Sequence, residues 1–336
     1  MSARPQWLIA GCVALLLAGW TFGGTLGRLT TEFLGFEYVD AYGTQWFYWF
    51  VDRQLRAGET AGHSDLFFHP WGKDVFAHTG PNVLDAYAAL PFRLLLGPVL
   101  GYNVFLLAAL LVNALAFGWL ARQFTTDKLA LGVGSVLFAF SPFVLFEAEA
   151  GRPTQALLVF PVLLMLFLWR TGNRRGLLSP LLAGFALALS GYQYWYYAFF
   201  LGMGCLAHGL WRAAYPPPEA GGRWRILARH ALVAGVALAV TLPFAHALLS
   251  GGATGEESVP GLLDMDRWSL RANPPLTEAG TKVGLFLWQP FLRQTGAFVQ
   301  DLDGTERFLF RGTWMLIPMW LSLALWAWRP GRLHRG

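Results

Sequence analysis

Charge is what this sequence has least of. Only 13% of its 336 residues are Asp, Glu, Lys or Arg, against roughly 25% in a water-soluble domain. So few charges cannot cover a water-facing surface, which excludes a soluble enzyme and a disordered chain alike. Cysteine is as scarce. Cys12 and Cys205 both lie in apolar runs, so a disulfide scaffold is excluded and each is read as a small hydrophobe. Leu8-Ile9-Ala10-Gly11-Cys12 looks like a lipoprotein box, but the apolar run continues past the cysteine, which a signal peptide would not do. There is no P-loop. The strings Gly132-Val133-Gly134 and Gly251-Gly252 lie within an apolar run and at the end of one, so an ATP-driven pump in a single chain is excluded.

What is there is apolar and aromatic. Hydrophobic residues make up 55% of the chain, with 16 Trp and 27 Phe, and the mean hydropathy is +0.43. That is the composition of an all-α, polytopic integral membrane protein. A crossing helix needs about 20 mostly apolar residues. Eight stretches qualify: 7–26, 102–120, 129–146, 153–169, 177–189, 194–211, 231–249 and 308–328. The fifth is short, and a tight turn, Ser190-Gly191-Tyr192-Gln193, joins it to the sixth.

The connections sort by charge. With the amino terminus in the cytoplasm, segments 1–6, 121–128, 170–176, 212–230 and 329–336 carry thirteen basic residues and two acids, Asp127 and Glu219. The other side holds the remaining twelve basic and eighteen acidic residues. Positive residues are retained in the cytoplasm during insertion, so this asymmetry sets the orientation. The net charge of +5 is then a topology signal, and no nucleic-acid partner is expected. The cytoplasmic connections are short, whereas the outer segments 28–101 and 250–307 are long, so the chemistry is expected outside. The chain is accordingly divided into a membrane module, 1–249, and a second outer loop with one further span, 250–336.

In the first outer segment, Phe47, Phe50, Val51 and Leu55 recur at helical spacing, with Asp52, Arg53 and Arg56 opposite and Gly58 as a stop. This predicts a helix lying flat in the headgroup layer. A second such element is expected over 82–97, where Asp85, Pro91 and Arg93 argue against a full crossing. Between them His63, Asp65, His69, Asp74 and His78 suggest a metal cluster, but their spacing matches no compact zinc signature. Asn103 and Asn113, inside the second span, are expected to bond neighbouring helices.

Several short motifs punctuate this plan: Asp40, Gly43-Thr44-Gln45-Trp46, Pro70-Trp71-Gly72-Lys73-Asp74, Asn82, Phe140-Ser141-Pro142-Phe143, Gly151-Arg152-Pro153, Gln155 and Ser190-Gly191-Tyr192. Over residues 7–249 the arrangement resembles the type-C superfamily of polytopic membrane glycosyltransferases, in particular a loosely characterised bacterial branch. One departure is Arg152, where relatives often have a histidine. The resemblance implies transfer of a sugar from a polyprenyl-phosphate donor at the periplasmic face of a bacterial inner membrane, with inversion. It implies membrane lipids as surroundings and a divalent cation, Mg²⁺ or Mn²⁺; it names no protein partner.

On that resemblance the catalytic acid maps to Asp40, with Glu37 and Glu32 beside it; the alternative is that Asp40 caps a helix beginning near Gly43. Glu147 and Glu149 are candidates to join Asp40 at the metal, but acids two apart on a helix point in different directions, so one of them is expected to face the cavity. Arg152 can pair with either acid or meet a phosphate bidentately. Gln155, Tyr192 and Tyr194 are candidates for substrate binding, the tyrosines by stacking on a sugar or, alternatively, as interface anchors. Arg267 and Arg271 are candidates for the lipid phosphate, with surface pairing to Asp264 and Asp266 as the alternative. Two other classes stand beside the transferase. A lipid or glycan transporter should show duplicated halves and broken helices, and no repeat is found; a non-catalytic assembly factor would keep the module without the chemistry.

Overall fold

A computed structural model describes residues 21–35, 39–64, 73–75 and 83–250, with Leu16, Leu17, Gly19 and Leu66, all inside a unit spanning Met1–Thr254. Glu37, Arg267, Arg271 and the expected eighth span lie outside the described residues. Of those described, 80% are helical, and four helical stretches are long and apolar enough to cross a membrane: Pro98–Ala121, Lys128–Glu149, Pro153–Asn173 and Arg223–His246. The chain is a helical membrane protein.

Helix α1 (Val39–Ala57) begins four residues before the expected start, with Asp40 in its first turn, where a carboxylate complements the helix dipole. Gly58, at φ +73, ends it as expected. Asp52 and Arg56 pair at 2.8 Å on its exposed side. The apolar face meets protein and not lipid alone: Tyr48, Phe50 and Val51 are fully buried in a core shared with Tyr102, Phe105 and Leu106. A two-residue antiparallel pairing of β1 (His63–Ser64) with β2 (Lys73–Asp74) follows; Asp65, His69 and His78 of the suggested metal cluster lie outside the described residues.

Helix α2 (Leu84–Leu96) spans 13 residues, about 20 Å at 1.5 Å per residue, too short to cross. It buries Asp85, Ala86 and Ala89 and exposes Leu94 and Leu95. Gly97, at φ +82, turns the chain into α3 (Pro98–Ala121). Asp127 caps α4 (Lys128–Ala139), accepting from the amides of Leu129 and Ala130. Phe140 and Ser141 interrupt the third span before Pro142 starts α5 (Pro142–Glu149). The fourth is likewise split, into α6 (Pro153–Ala156) and α7 (Val159–Asn173).

Helices α8 (Leu178–Gln193) and α9 (Trp195–Ala214) stand where the fifth and sixth spans were expected. At 16 residues α8 is about 24 Å long, short of a 30 Å hydrocarbon core. A 3-10 turn, Pro218–Ala220, leads into α10 (Arg223–Ser250). Residues of α7 to α10, among them Leu164, Leu166, Ala183, Cys205 and Val233, form a second core.

Candidate functional site

Three of the sequence candidates come together. Arg152, between α5 and α6, places Nε 2.7 Å from Glu147 Oε2 and Nη1 3.5 Å from Asp40 Oδ2. Glu147 is 8% exposed at the side chain, Arg152 17%, and Asp40 50%. One carboxylate is thus held inside and the other is half-exposed. Arg152 also lies over the Phe146 ring, 5.0 Å from its centroid. With both carboxylates ionised, a single guanidinium between them leaves the trio one negative charge in excess. Such a site favours an arriving proton or hard cation, and its guanidinium suits a phosphate.

Close backbone contact makes this meeting possible. Gly151 has φ +71, and a Cβ there would stand 2.4 Å from Ala41 Cβ and 2.7 Å from Ala41 Cα. Gly35, at φ +119, comes as close to the Glu149 carbonyl, 2.2 Å from where its Cβ would be. Glycine is required at both places to bring the start of α1 against the end of α5. Glu147 is the buried partner of Arg152, whereas Glu149 is half-buried at the end of the same helix.

The Arg152 segment is gripped from four helices. Asp85 Oδ2 on α2 accepts from Thr154 Oγ1 at 3.0 Å. Gln193 on α8 donates to the Pro153 and Thr154 carbonyls, and Tyr197 on α9 donates to the Gln155 carbonyl at 2.8 Å. Asn113 on α3 donates to Ala156 O and accepts from Leu158 N; Asn103 likewise secures residues 29–34. Asn113 therefore bonds a neighbouring helix as expected, at the break between α6 and α7, whereas Asn103 ties connecting backbone to its helix.

Asp85 is 1% exposed and also accepts from the Tyr48 hydroxyl at 2.7 Å. Burial pushes its carboxyl up to about 6, even though both hydroxyl bonds favour the ionised form. Burial and the neighbouring carboxylate in turn push the Tyr48 phenol well up, so Tyr48 stays a donor. Thr154 carries no motif, and Gln193 and Tyr197 stood out only as members of the aromatic turn 192–197. For Asp85 the signal was an acid, with Arg93, in the largely apolar run 83–96.

Of the remaining candidates, Gln155 and Tyr194 lie beside the trio, Tyr194 against the Gln155 side chain and the Tyr197 ring. Tyr192 points elsewhere, donating to Val240 O on α10 at 2.9 Å. Among the described residues no three His, Cys, Asp or Glu side chains gather as a metal site. Comparison with family models, with curated proteins and with solved structures finds no match to this chain.

Proposed function

We propose that the chain is a membrane glycosyltransferase of the type-C kind, moving a sugar from a polyprenyl-phosphate donor to an acceptor hydroxyl on the extracytoplasmic face of a bacterial inner membrane. The observation that carries this reading is the meeting of Asp40 and Glu147 on Arg152. It lies at the end of the helices opposite their basic connections. The eight-span count, with the segments outside the described residues completing it, belongs to the same proposal, as do Glu37, Arg267 and Arg271 as its further site residues.

The half-exposed Asp40 carboxylate takes the proton of the acceptor hydroxyl. The acceptor oxygen then bonds to the anomeric carbon from the face opposite the leaving group. The bond from that carbon to the phosphate oxygen breaks, and polyprenyl phosphate leaves with the electron pair. Arg152 meets the departing phosphate, while buried Glu147 keeps the guanidinium in place. Carboxylates are the hard oxygen donors that Mg²⁺ or Mn²⁺ takes, so Asp40 and Glu147 are the residues that would hold such an ion. When bound, the ion offsets phosphate charge.

The test uses the full chain in nanodiscs with short-chain polyprenyl-phosphate hexoses, reading release of polyprenyl phosphate. Asp40→Asn is expected to lower the rate about a hundredfold or more with insertion unchanged. An unchanged rate removes the proposed base. The broken third and fourth spans favour a second reading, a lipid or glycan transporter. Flipping of a labelled lipid without release of polyprenyl phosphate would select it.

A further inference from the structure

The other end of the helices holds a second charged constellation. Arg175, Arg225 and Arg229 surround the turn Pro218–Ala220 and the glycine after it. Arg175 Nε donates to Glu219 O at 3.0 Å, and Arg229 Nη2 to Ala220 O at 2.7 Å. Arg229 also donates to the carbonyls of Arg174 and Arg225. Gly221 has φ +82, and a Cβ there would lie 3.2 Å from Arg225 Nη1 and 3.7 Å from Arg175 Nε. Two guanidinia therefore flank one backbone atom, and the third is 94% buried beside them, since Arg229 is 6% exposed.

These contacts fix the arginines without neutralising them. Carbonyl oxygens carry no net charge, and none of the three guanidinia meets a carboxylate among the described residues. Glu219, the acid in the turn, offers its backbone oxygen to Arg175. The Arg225 guanidinium has no hydrogen bond or ion pair among the described residues. Positive residues acting only as insertion signals would be free to spread apart in water; here backbone bonds hold Arg175 and Arg229 at one turn, with Arg225 beside it, against their mutual repulsion.

The surroundings indicate what would offset the charge. Trp224 and Tyr215 are each 71% exposed, and Trp211 is 48% exposed. Aromatic side chains of this kind settle at the level of the lipid headgroups. Apolar helices run from this level into the membrane, so the nearest abundant anion is a headgroup phosphate, whose oxygens suit guanidinium donors. We propose that Arg175 and Arg225, on the turn that buried Arg229 holds, bind the phosphate of an anionic phospholipid in the leaflet opposite the Asp40–Glu147 site. This does not depend on sugar transfer.

The full chain is reconstituted in phosphatidylcholine nanodiscs with increasing phosphatidylglycerol, and its thermal midpoint is read from tryptophan fluorescence. The midpoint is expected to rise and saturate. Arg175→Gln/Arg225→Gln should lose most of that rise, with Arg229 kept because it holds the turn. Arg122→Gln/Lys128→Gln, which removes the same charge elsewhere on the same face, should keep it. Should the first double variant fail to fold, Arg225→Gln alone carries the test, since that side chain supports no backbone. An undiminished rise in the arginine variants, or equal loss in the control, overturns the site in favour of bulk surface charge. The same rise from inorganic phosphate in pure phosphatidylcholine would assign a soluble anion and overturn the lipid.

Discussion

Asp85 takes a carboxylate into the protein where no cation meets it. Its Oδ2 accepts from Tyr48 and Thr154, while Oδ1 receives no side-chain bond. The ordinary value of 3.8 rises to about 6 on folding. Between those values the folded chain keeps a proton that the unfolded chain releases. The stability tied to that proton is therefore fully present below pH 3.8 and is lost as pH rises through about 6. The loss amounts to about 3 kcal/mol. The thermal midpoint should accordingly fall as pH rises from about 4 to about 6.5 and level off above that, and Asp85→Asn should remove most of that slope. Asparagine keeps an oxygen for the two hydroxyls and cannot ionise. A variant with the wild-type slope would show that Asp85 is already ionised at pH 5. This acid was visible in the sequence only as an obstacle to a crossing helix. Its partners, Tyr48 and Thr154, lie 37 and 69 residues away, and no local pattern links them.

At the scale of elements, the site depends on how closely α1 can approach the turn after α5. A methyl group at Gly151 meets both a side chain and the backbone of Ala41, and the φ of +71 is itself unfavourable for alanine. Gly151→Ala should lower stability by about 1–3 kcal/mol and abolish transfer by pushing Asp40 from Arg152. Adding Ala41→Gly should recover only part of the thermal midpoint, because it removes the 2.4 Å contact but leaves the 2.7 Å one. Gly43→Ala is the contrast. Nothing lies within 4 Å of that position, so alanine should raise helix stability by up to about 1 kcal/mol. Equal loss at Gly43 and Gly151 would show that the close approach is not what matters. Asp40, Glu147 and Arg152 were each legible in the sequence, since an acid or arginine beside an apolar run stands out. The glycine contacts that join them were not, because proximity between residues 41 and 151 leaves no periodic trace. The split third span is a different case: Ser141-Pro142 marks the break in the sequence, but an apolar window of about 20 residues averages over it.

Among the described residues two polar and charged groups stand at opposite ends of the helices. Gln193, Asp85, Glu147 and Arg152 gather at one end; Arg174, Arg175, Arg212 and Arg229 gather at the other, where Arg212 meets Asn173 and Arg229 meets Arg174. Retention of positive residues in the cytoplasm would put the second group there and the first outside. Cysteine labelling tests this with the native cysteines replaced by alanine. Gly43→Cys, one turn from Asp40 and with open space around it, should react with a membrane-impermeant maleimide on intact cells. Glu219→Cys, exposed in the basic turn, should react only after permeabilisation. The reverse pattern would put Asp40 in the cytoplasm and set the arginine cluster against the outer leaflet. A lipid-borne sugar presented outside could not then reach the carboxylate, so the transferase proposal would fail. The phosphate site would survive, because its arginines would still lie at headgroup depth, facing the other leaflet.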